Sequence, residues 1–448
     1  MKSTLPITRR EFIAGTSALL LTADELLAKE SSPTTQPVAS DHDKLALEGG
    51  EKAVKKPATK PVRWGEPERE QFTDMLKQDS LLYWKGPQTN LLIKRFKEHC
   101  PLKHVMNCSS GTAALHIAVA AAGIAPGDEV ITSSFTDIGT VIGILFQQAV
   151  PVFADLEPHT YQISARTVEP LITPKTKAII AVHLGGNPSE LDALKALAEK
   201  RNLILIEDCA QAWGARYQDK PIGTIGHIAC FSLQTSKHIT CGDGGMVASN
   251  DERFGPLLQR FGDKGGDRSL PKFLADRLGT NYRMSEPQAS FAAAQMQRLE
   301  QIASKRSRLG NLLSSELDGV AAVSTPRVGE NNRCTYWHYM LRLKLDKLKC
   351  TREQFVKAAA AEGVPLSNGY IPVLLHEMPM FQKHGFFGGR WPVKEMGLTT
   401  MDYGKVKLPE ADAIMKTCSI TPIHEGMDEE YIRGVAKGIR KVAKHYAA

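Results

Sequence analysis

Lys237 and Asp208 are the two residues whose type and sequence position most favour a chemical role. The lysine could form a covalent bond, and the aspartate could pair with a cation. Lys237 follows an apolar segment and a polar turn, and the glycine-rich stretch 242–245 comes shortly after it. A lysine in a tight, partly dry site can lose its proton and form a Schiff base with an aldehyde. The placement of Lys237 favours such a role, although most lysines in a protein are solvated surface side chains.

Asp208 directly follows the apolar segment 203–207, which has the pattern of a buried strand. A bare carboxylate at that position is costly unless a cationic partner, such as a protonated ring nitrogen, lies beside it. An aspartate that caps the start of the next helix is the alternative interpretation. Asp208 is thus a candidate partner for a cationic ring.

Two further segments carry polar groups beside predicted strands. Residues 108–115 run from a strand through a small-residue turn into a helix, where the N–H groups and the Thr112 hydroxyl make a natural phosphate site. An ordinary capped helix is again the alternative. The other segment is 281–286, NYRMSE. Because ligands in open α/β sheets bind outside the carboxyl ends of the strands, we expect these segments to gather around one site.

Strand-like and helix-like patterns alternate along the body of the chain and predict the elements that position those residues. We expect strands over residues 103–107, 129–132, 150–154, 178–182, 203–207, 228–232 and 245–248. Helical patterns cover residues 112–122, 138–147, 190–200 and 286–317. Strands separated by helices indicate a mostly parallel sheet covered on both faces. The predicted fold class is α/β, with a smaller α+β region in the last third of the chain.

The composition excludes several classes of protein. The chain has 448 residues, of which 42% are apolar and 23% charged, so it is not disordered, collagenous or a coiled coil. The net charge of +7 is mild, and no dense basic block interleaved with aromatic residues predicts nucleic-acid binding. The eight cysteines form no C-x-x-C pair, so we expect neither a disulfide scaffold nor a metal site. We expect His183 to shape a loop rather than to bind a metal.

The first residues have the pattern of an export signal. Within residues 1–30, Arg9 and Arg10 precede a short apolar stretch, which resembles the twin-arginine signal that exports folded proteins in bacteria. The stretch is too short and interrupted for stable membrane insertion. Residues 31–43 are rich in Ser, Thr and Pro and are predicted to form a flexible linker. We expect the protein in the periplasm or outside the cell, or in the cytoplasm if the signal is not used.

The motifs, taken in order, resemble a known family. They are SSGTAALH, GDEVITSSFT, IEDCAQAWGARY, FSLQTSKHITCGDGGMV and NYRMSE, and the segments EGGEKAVKKP and GYIPVLLHEMPMF fit the same pattern. Together they resemble the DegT/DnrJ/EryC1/StrS family of pyridoxal-phosphate-dependent aminotransferases, from about Lys44 to the C-terminus. The resemblance implies the fold-type-I architecture: a large seven-stranded domain with an N-terminal arm over residues 44–318, and a smaller α+β domain over 319–448. It also implies a homodimer with active sites at the subunit interface.

The resemblance assigns a role to each candidate residue. Lys237 would hold pyridoxal 5′-phosphate covalently, Asp208 would pair with its protonated ring nitrogen, and Gln211 would reach the ring hydroxyl. The residues implied for the phosphate are Gly111, Thr112, Ala113 and Ser232, completed by Asn281 or Arg283 of the neighbouring subunit.

The same resemblance implies a ping-pong transfer of an amino group from an amino acid, glutamate or glutamine, to a keto sugar or related keto acceptor. The freed Lys237 amine would act as the general base. Two alternatives stay open. One is a pyridoxal-phosphate-dependent sugar dehydratase, which typically replaces the lysine by histidine, and His238 is adjacent. The other is a non-catalytic sensor or binding protein that keeps the fold.

The chain departs from the family pattern at three points. Asp137 stands where family members often carry an aromatic residue that stacks on the cofactor ring, so either another ring such as Phe135 or Trp213 helps, or that face is polar. Trp213 itself stands where histidine is more usual. Finally, export would separate the enzyme from cytoplasmic nucleotide sugars, so a free or glycan-bound keto sugar or a keto-cyclitol is a further candidate acceptor.

Overall fold

The fold is described from a computed structural model, which covers residues 44–448. The predicted signal over 1–30 and the predicted linker over 31–43 lie outside these residues. Within residues 44–448, no helix is long and apolar enough to cross a membrane.

A seven-stranded sheet forms the centre of the molecule, in the order β1-β9-β8-β5-β4-β2-β3. Its strands are β1 His104–Cys108, β2 Glu129–Ser133, β3 Val150–Ala154, β4 Thr176–Val182, β5 Ile204–Asp208, β8 Ile228–Ser232 and β9 Gly245–Ser249. Strands β3, β2, β4, β5 and β8 pair in parallel, whereas β9 is antiparallel to both β8 and β1. All five residues of β3, β8 and β9 are buried, as expected for a sheet covered on both faces. The predicted α/β class with a large, mostly parallel seven-stranded sheet is confirmed.

The remaining strands form two small sheets. A hairpin joins β6 Arg216–Tyr217 to β7 Lys220–Pro221. The other sheet has three antiparallel strands in the order β10-β11-β12, which are Val323–Ser324, Tyr339–Leu343 and Cys418–Thr421. Strand β11 ends at Leu343, and a 3₁₀ turn follows it at Leu345–Lys347.

Helices cover the sheets and connect their strands. The first half of the chain contributes α1 Glu66–Met75, α2 Pro87–His99, α3 Gly111–Ala121, α4 Gly139–Phe146, α5 Ala165–Val168, α6 Leu191–Arg201 and α7 Gly255–Gly262. The second half contributes α8 Glu286–Met296, α9 Leu299–Glu316, α10 Arg352–Ala361, α11 Pro379–Gln382, α12 Pro392–Glu395, α13 Pro409–Thr417 and α14 Glu429–His445. The continuous helical pattern predicted over 286–317 is thus two helices, which meet at Gln297 and Arg298.

Two hydrophobic cores lie within the described residues. The first surrounds the large sheet, and it also takes in side chains from the late segment 374–418, including Leu374, Phe381 and Tyr403. The second packs around the three-stranded sheet and α14, and Leu45 and Val54 of the N-terminal arm belong to it. The division of the chain into domains at residue 318 stays a prediction.

A buried carboxylate fastens the N-terminal arm to the second core. Glu362 accepts hydrogen bonds from the backbone N–H groups of Ala46 at 2.7 Å and Ala53 at 3.0 Å. It also pairs with the Lys441 ammonium of α14 at 3.0 Å, where both side chains are almost fully buried. A buried carboxylate is stable only when its oxygens are hydrogen-bonded or paired. Glu362 satisfies this need with groups of the arm and of α14 and so connects the two.

We predict that Glu362→Gln lowers the free energy of unfolding by about 3 kcal/mol, because it leaves the Lys441 ammonium buried without its counter-charge. Urea denaturation followed by circular dichroism measures the loss. Glu353→Gln on the exposed side of α10 is the matched control, and its change should stay within about 0.5 kcal/mol. Equal effects of the two substitutions would contradict the role given to Glu362.

Candidate active site

A cavity of about 360 Å³ opens at the carboxyl ends of the parallel strands. Asp208 ends β5, Ser232 ends β8, and Gly111 begins α3; all three line the cavity. Lys237 lines the same cavity, from the loop between β8 and β9. The structure therefore brings together the lysine, the aspartate and the helix start that the sequence singles out separately, at the sheet edge where ligands of such folds bind.

The Lys237 side chain is buried, with 9% of its surface exposed. Its Nζ lies 4.0 Å from the centre of the Trp337 ring. Burial lowers the pKa of Lys237, and the carboxylates of Asp208 and Asp137 act in the opposite direction. A lysine in this environment gives up its proton more readily than one in water.

Asp208 carries the other charge of the cavity. One carboxylate oxygen accepts from the Ala210 backbone N–H at 3.1 Å, and the other accepts from the Thr140 hydroxyl at 3.0 Å. Burial raises the pKa of Asp208, and these two hydrogen bonds and Lys237 oppose the rise. Because its neighbours do not fully compensate the cost of burial, Asp208 favours a cationic partner inside the cavity.

The start of α3 and the end of β8 form a close cradle. A Cβ atom on Gly111 would lie 2.7 Å from the Ser232 Cβ, so only glycine allows this approach. Thr112 lines the cavity beside them. The N–H of Ala113 donates to the Ser110 hydroxyl at 3.0 Å and is thus engaged in the helix cap. The N–H groups of Gly111 and Thr112 belong to the helix's first turn, where intrahelical partners are absent.

Gln211 links the sheet to a distant segment of the chain. Its side-chain oxygen accepts from the Gly185 N–H at 2.8 Å, and its amide nitrogen donates to the Tyr370 hydroxyl at 2.9 Å. Both Gln211 and Tyr370 line the cavity. Since an amide nitrogen carries two protons, one donor of Gln211 is left for a ligand.

Asn281 and Arg283 do not line this cavity. Arg283 donates to the Asn281 side-chain oxygen at 2.7 Å and lies 3.6 Å from a carboxylate oxygen of Asp263. The Ser109 N–H donates to the Tyr282 carbonyl at 2.7 Å and holds the segment beside the end of β1. Their predicted contact with the phosphate of a neighbouring subunit stays a prediction.

The aromatic rings at the cavity are not the two named from the sequence. Phe135 is buried and packs edge-on against Tyr370, and Trp213 packs against Phe231 with its indole N–H on the Ser232 carbonyl. Neither lines the cavity, whereas Trp337 and Tyr370 do. Tyr370 lies in the segment GYIPVLLHEMPMF, which carries part of the family resemblance, but no pattern in the sequence marks Trp337.

Asp137 also faces the cavity and is exposed. One of its oxygens accepts from the Gly139 N–H at 2.8 Å, next to the start of α4. Asp137 therefore adds a carboxylate to the lining of the cavity, and its effect on a bound cofactor stays a prediction.

The neighbouring histidines are engaged elsewhere. The buried His238 ring contacts the Thr335 carbonyl at 3.0 Å and does not line the cavity. His183 contacts Glu207 at 3.1 Å and accepts from the Ser189 N–H at 3.1 Å, so it holds the loop after β4 in shape. Glu207 and Cys209 lie close enough to His183 to form a metal-type cluster, but the Glu207 carboxylate is already occupied by His183 and by backbone N–H groups of the turn 223–226.

Comparison with known proteins identifies the family of the chain. The sequence model of the DegT/DnrJ/EryC1/StrS aminotransferase family matches residues 63–440. The chain is 36% identical to GDP-perosamine synthase of Caulobacter vibrioides over 64% of this chain and 77% of that protein. It is 31% identical to UDP-2-acetamido-2-deoxy-3-oxo-D-glucuronate aminotransferase of Pseudomonas aeruginosa, over 78% of this chain and 89% of that protein.

Solved structures of aminotransferases share the fold. The crystal structure of an aminotransferase from Psychrobacter cryohalolentis matches 87% of this chain and 100% of its own chain, with 28% identity and a TM-score of 0.76. The structure of 3-amino-5-hydroxybenzoic acid synthase matches equal shares, with 25% identity and a TM-score of 0.77. The family predicted from the sequence motifs is confirmed: the chain is an aminotransferase that belongs to the DegT/DnrJ/EryC1/StrS family.

Proposed function

We propose that this aminotransferase uses pyridoxal 5′-phosphate, held by Lys237, to move an amino group from an amino acid to a keto sugar. The observation that carries the proposal is the shared cavity of Lys237, Asp208 and the Gly111–Ser232 cradle. Each group supplies one of the three contacts that this cofactor needs: an amine for its aldehyde, an anion for its ring nitrogen and donors for its phosphate.

The residues of the cavity fit the cofactor chemically. Asp208 is a buried carboxylate short of a cationic partner, which a protonated ring nitrogen would supply. Gly111 and Gly139 keep the cradle open, since a Cβ on Gly139 would lie 2.6 Å from the Thr112 hydroxyl oxygen. Gly111, Thr112 and Ser232 would hold the phosphate, and the free amide proton of Gln211 would reach the ring hydroxyl. The Ala113 N–H, bound to Ser110, would contribute least.

When bound, pyridoxal phosphate supplies an aldehyde for the lysine and a ring that withdraws electrons from the substrate carbon. The chain supplies the proton transfer. Because burial lowers the pKa of Lys237, its Nζ is available as a neutral base closer to neutral pH than a solvated lysine. It takes the proton from the carbon that bears the donor's amino group and returns one to the acceptor carbon in the second half of the cycle. Glutamate or glutamine is the proposed donor.

The acceptor class is proposed from the relatives. Their names point to sugars: one is a GDP-perosamine synthase, and another acts on a UDP-linked 3-oxo-glucuronate. We therefore propose a keto sugar as acceptor. If the Arg9-Arg10 segment acts as an export signal, the acceptor would be a free or glycan-bound keto sugar or a keto-cyclitol rather than a cytoplasmic nucleotide sugar.

We further propose a homodimer in which Asn281 or Arg283 of the partner completes the phosphate site. Two observations support it. Both side chains lie outside the cavity of their own chain. The adjoining segment also exposes large apolar side chains, with Leu274 at 68% and Leu278 at 92% exposure, which a partner would cover.

We predict that the purified protein with pyridoxal phosphate shows an absorbance band at about 410–430 nm, which glutamate abolishes in a single turnover. Lys237→Ala should remove both the band and the response, because it removes the amine. Lys357→Ala, at an exposed position of α10, is the control and should leave both unchanged. A band that persists in Lys237→Ala would contradict the assignment, and a wild-type band unaffected by amino donors would favour the sensor alternative.

We predict that Asp208→Asn slows the glutamate half-reaction by about 100-fold or more, because the ring nitrogen loses the anion that keeps it protonated. Rapid-mixing spectroscopy of the loaded enzyme measures this rate. Asp192→Asn, exposed on α6, is the control and should react at the wild-type rate. A wild-type rate in Asp208→Asn would show that the carboxylate does not support the ring.

A further inference from the structure

The loop that carries Lys237 is held by side chains from two remote parts of the chain. The Arg63 guanidinium, on the N-terminal arm, donates to the carbonyls of Thr235 and Lys237, each at 2.8 Å. The Trp337 indole N–H, just before β11, donates to the intervening Ser236 carbonyl at 2.8 Å. Three successive carbonyls of the loop are thus fixed from outside it.

Trp337 differs from Arg63 because it also contacts the reactive end of the lysine. Its ring centre lies 4.0 Å from Lys237 Nζ, within the range of a cation–π interaction. Among the described residues, no hydrogen bond or ion pair gives that ammonium another partner. The indole face is therefore in direct contact with the amine and stabilises its charge.

The position of the Trp337 ring is itself well determined. Its backbone N–H donates to the Gly185 carbonyl at 2.8 Å, and its ring meets Tyr370 edge-on with centres 5.7 Å apart. Gly186 permits this approach, because its φ is +89° and a Cβ there would lie 2.8 Å from the Tyr336 nitrogen. Tyr370 in turn accepts from Gln211. The ring is consequently a fixed surface rather than a mobile side chain.

We propose that Trp337 is a positioning residue for the reaction, whose ring face holds the Lys237 amine inside the cavity whenever that amine is free. The inference rests on the proposed function of Lys237. A lysine has a flexible four-carbon stem, and after a substrate displaces it the amine must stay close enough to take a proton. A ring that attracts the ammonium keeps it there but stabilises its charge less than a carboxylate in contact would, so the neutral amine forms more easily than in a salt bridge.

Several charged or titratable groups surround this amine, and they bear on any pH dependence. Asp208, Asp137, Asp243 and Tyr370 line the cavity with it. His238 and His338 do not line the cavity; burial lowers the pKa of both, and the charge of Lys237 lowers it further. Burial lowers the pKa of His338 to about 4, so this ring is neutral near pH 7. Burial lowers the pKa of Lys237, and this effect is larger than the opposing effect of the Asp208 and Asp137 carboxylates, which raise it. Like the two carboxylates, the indole face stabilises the ammonium and raises the pKa of Lys237.

The test measures the pKa of Lys237 in the cofactor-free protein. Trace acetylation over a range of pH, followed by mass spectrometry of the peptide that carries Lys237, gives this pKa, with exposed Lys357 as internal reference. We expect Trp337→Leu to lower the pKa of Lys237 by about one, a tenfold change in proton affinity. Trp337→Phe, which keeps a weaker ring face, should lie between Trp337→Leu and the wild type.

Trp213→Phe is the matched control. It removes another buried indole N–H, which donates to the Ser232 carbonyl, but its ring packs on Phe231 and not on the lysine. Its Lys237 pKa should equal that of the wild type. Trp337→Met, with a side chain that adapts to irregular space, replaces Trp337→Leu if the leucine variant does not fold. An unchanged or raised pKa in the variant without a ring would overturn the proposal.

The two proposals fail in distinguishable ways. If the wild-type enzyme reacts with glutamate but ring removal leaves the pKa of Lys237 unchanged, only the role of Trp337 is wrong. If no amino donor changes the cofactor spectrum, the proposed function fails, while the labelling result on cofactor-free protein still reports whether the ring holds the amine.

Discussion

The structure depends on keeping one buried carboxylate and one buried amine in the same cavity. Burial penalises both charges: it raises the pKa of Asp208 and lowers that of Lys237. Each group partly relieves the other, and hydrogen bonds from Thr140 and Ala210 relieve the aspartate further. These contacts do not fully offset the cost of burying the two charges. Asp208 therefore favours a cationic ring beside it, and Lys237 releases its proton readily.

The fold supplies the means to place these two groups. Parallel strands end at one edge of the sheet, so β5 delivers Asp208 and β8 delivers Ser232 and the lysine loop side by side. The start of α3 approaches so closely that its first residue must be glycine. Behind this edge, Glu207 and His183 tie the loop after β4 to the turn 223–226, and that loop receives Trp337. The candidate site of this chain is thus built from elements whose ends converge.

Much of this could be predicted from the sequence, because the information is local. The strand patterns agree with the structure to within one or two residues, and the family follows from motifs at strand ends. The parts that could not be predicted depend on contacts between remote residues. Arg63 and Trp337 reach the lysine loop from 174 and 101 positions away along the chain, and Tyr370 reaches Gln211 across 159. Nothing in the neighbouring sequence of Arg63 or Trp337 reveals those partners.

The central claim is that the Lys237 amine forms the covalent bond to the cofactor. Borohydride reduction of the protein loaded with pyridoxal phosphate fixes that bond, and peptide mass spectrometry then locates it. We predict one modified site, at Lys237, with modification lost when glutamate is added before the reductant. A label on a different lysine, or a protein that holds the cofactor without any reducible bond, would contradict it.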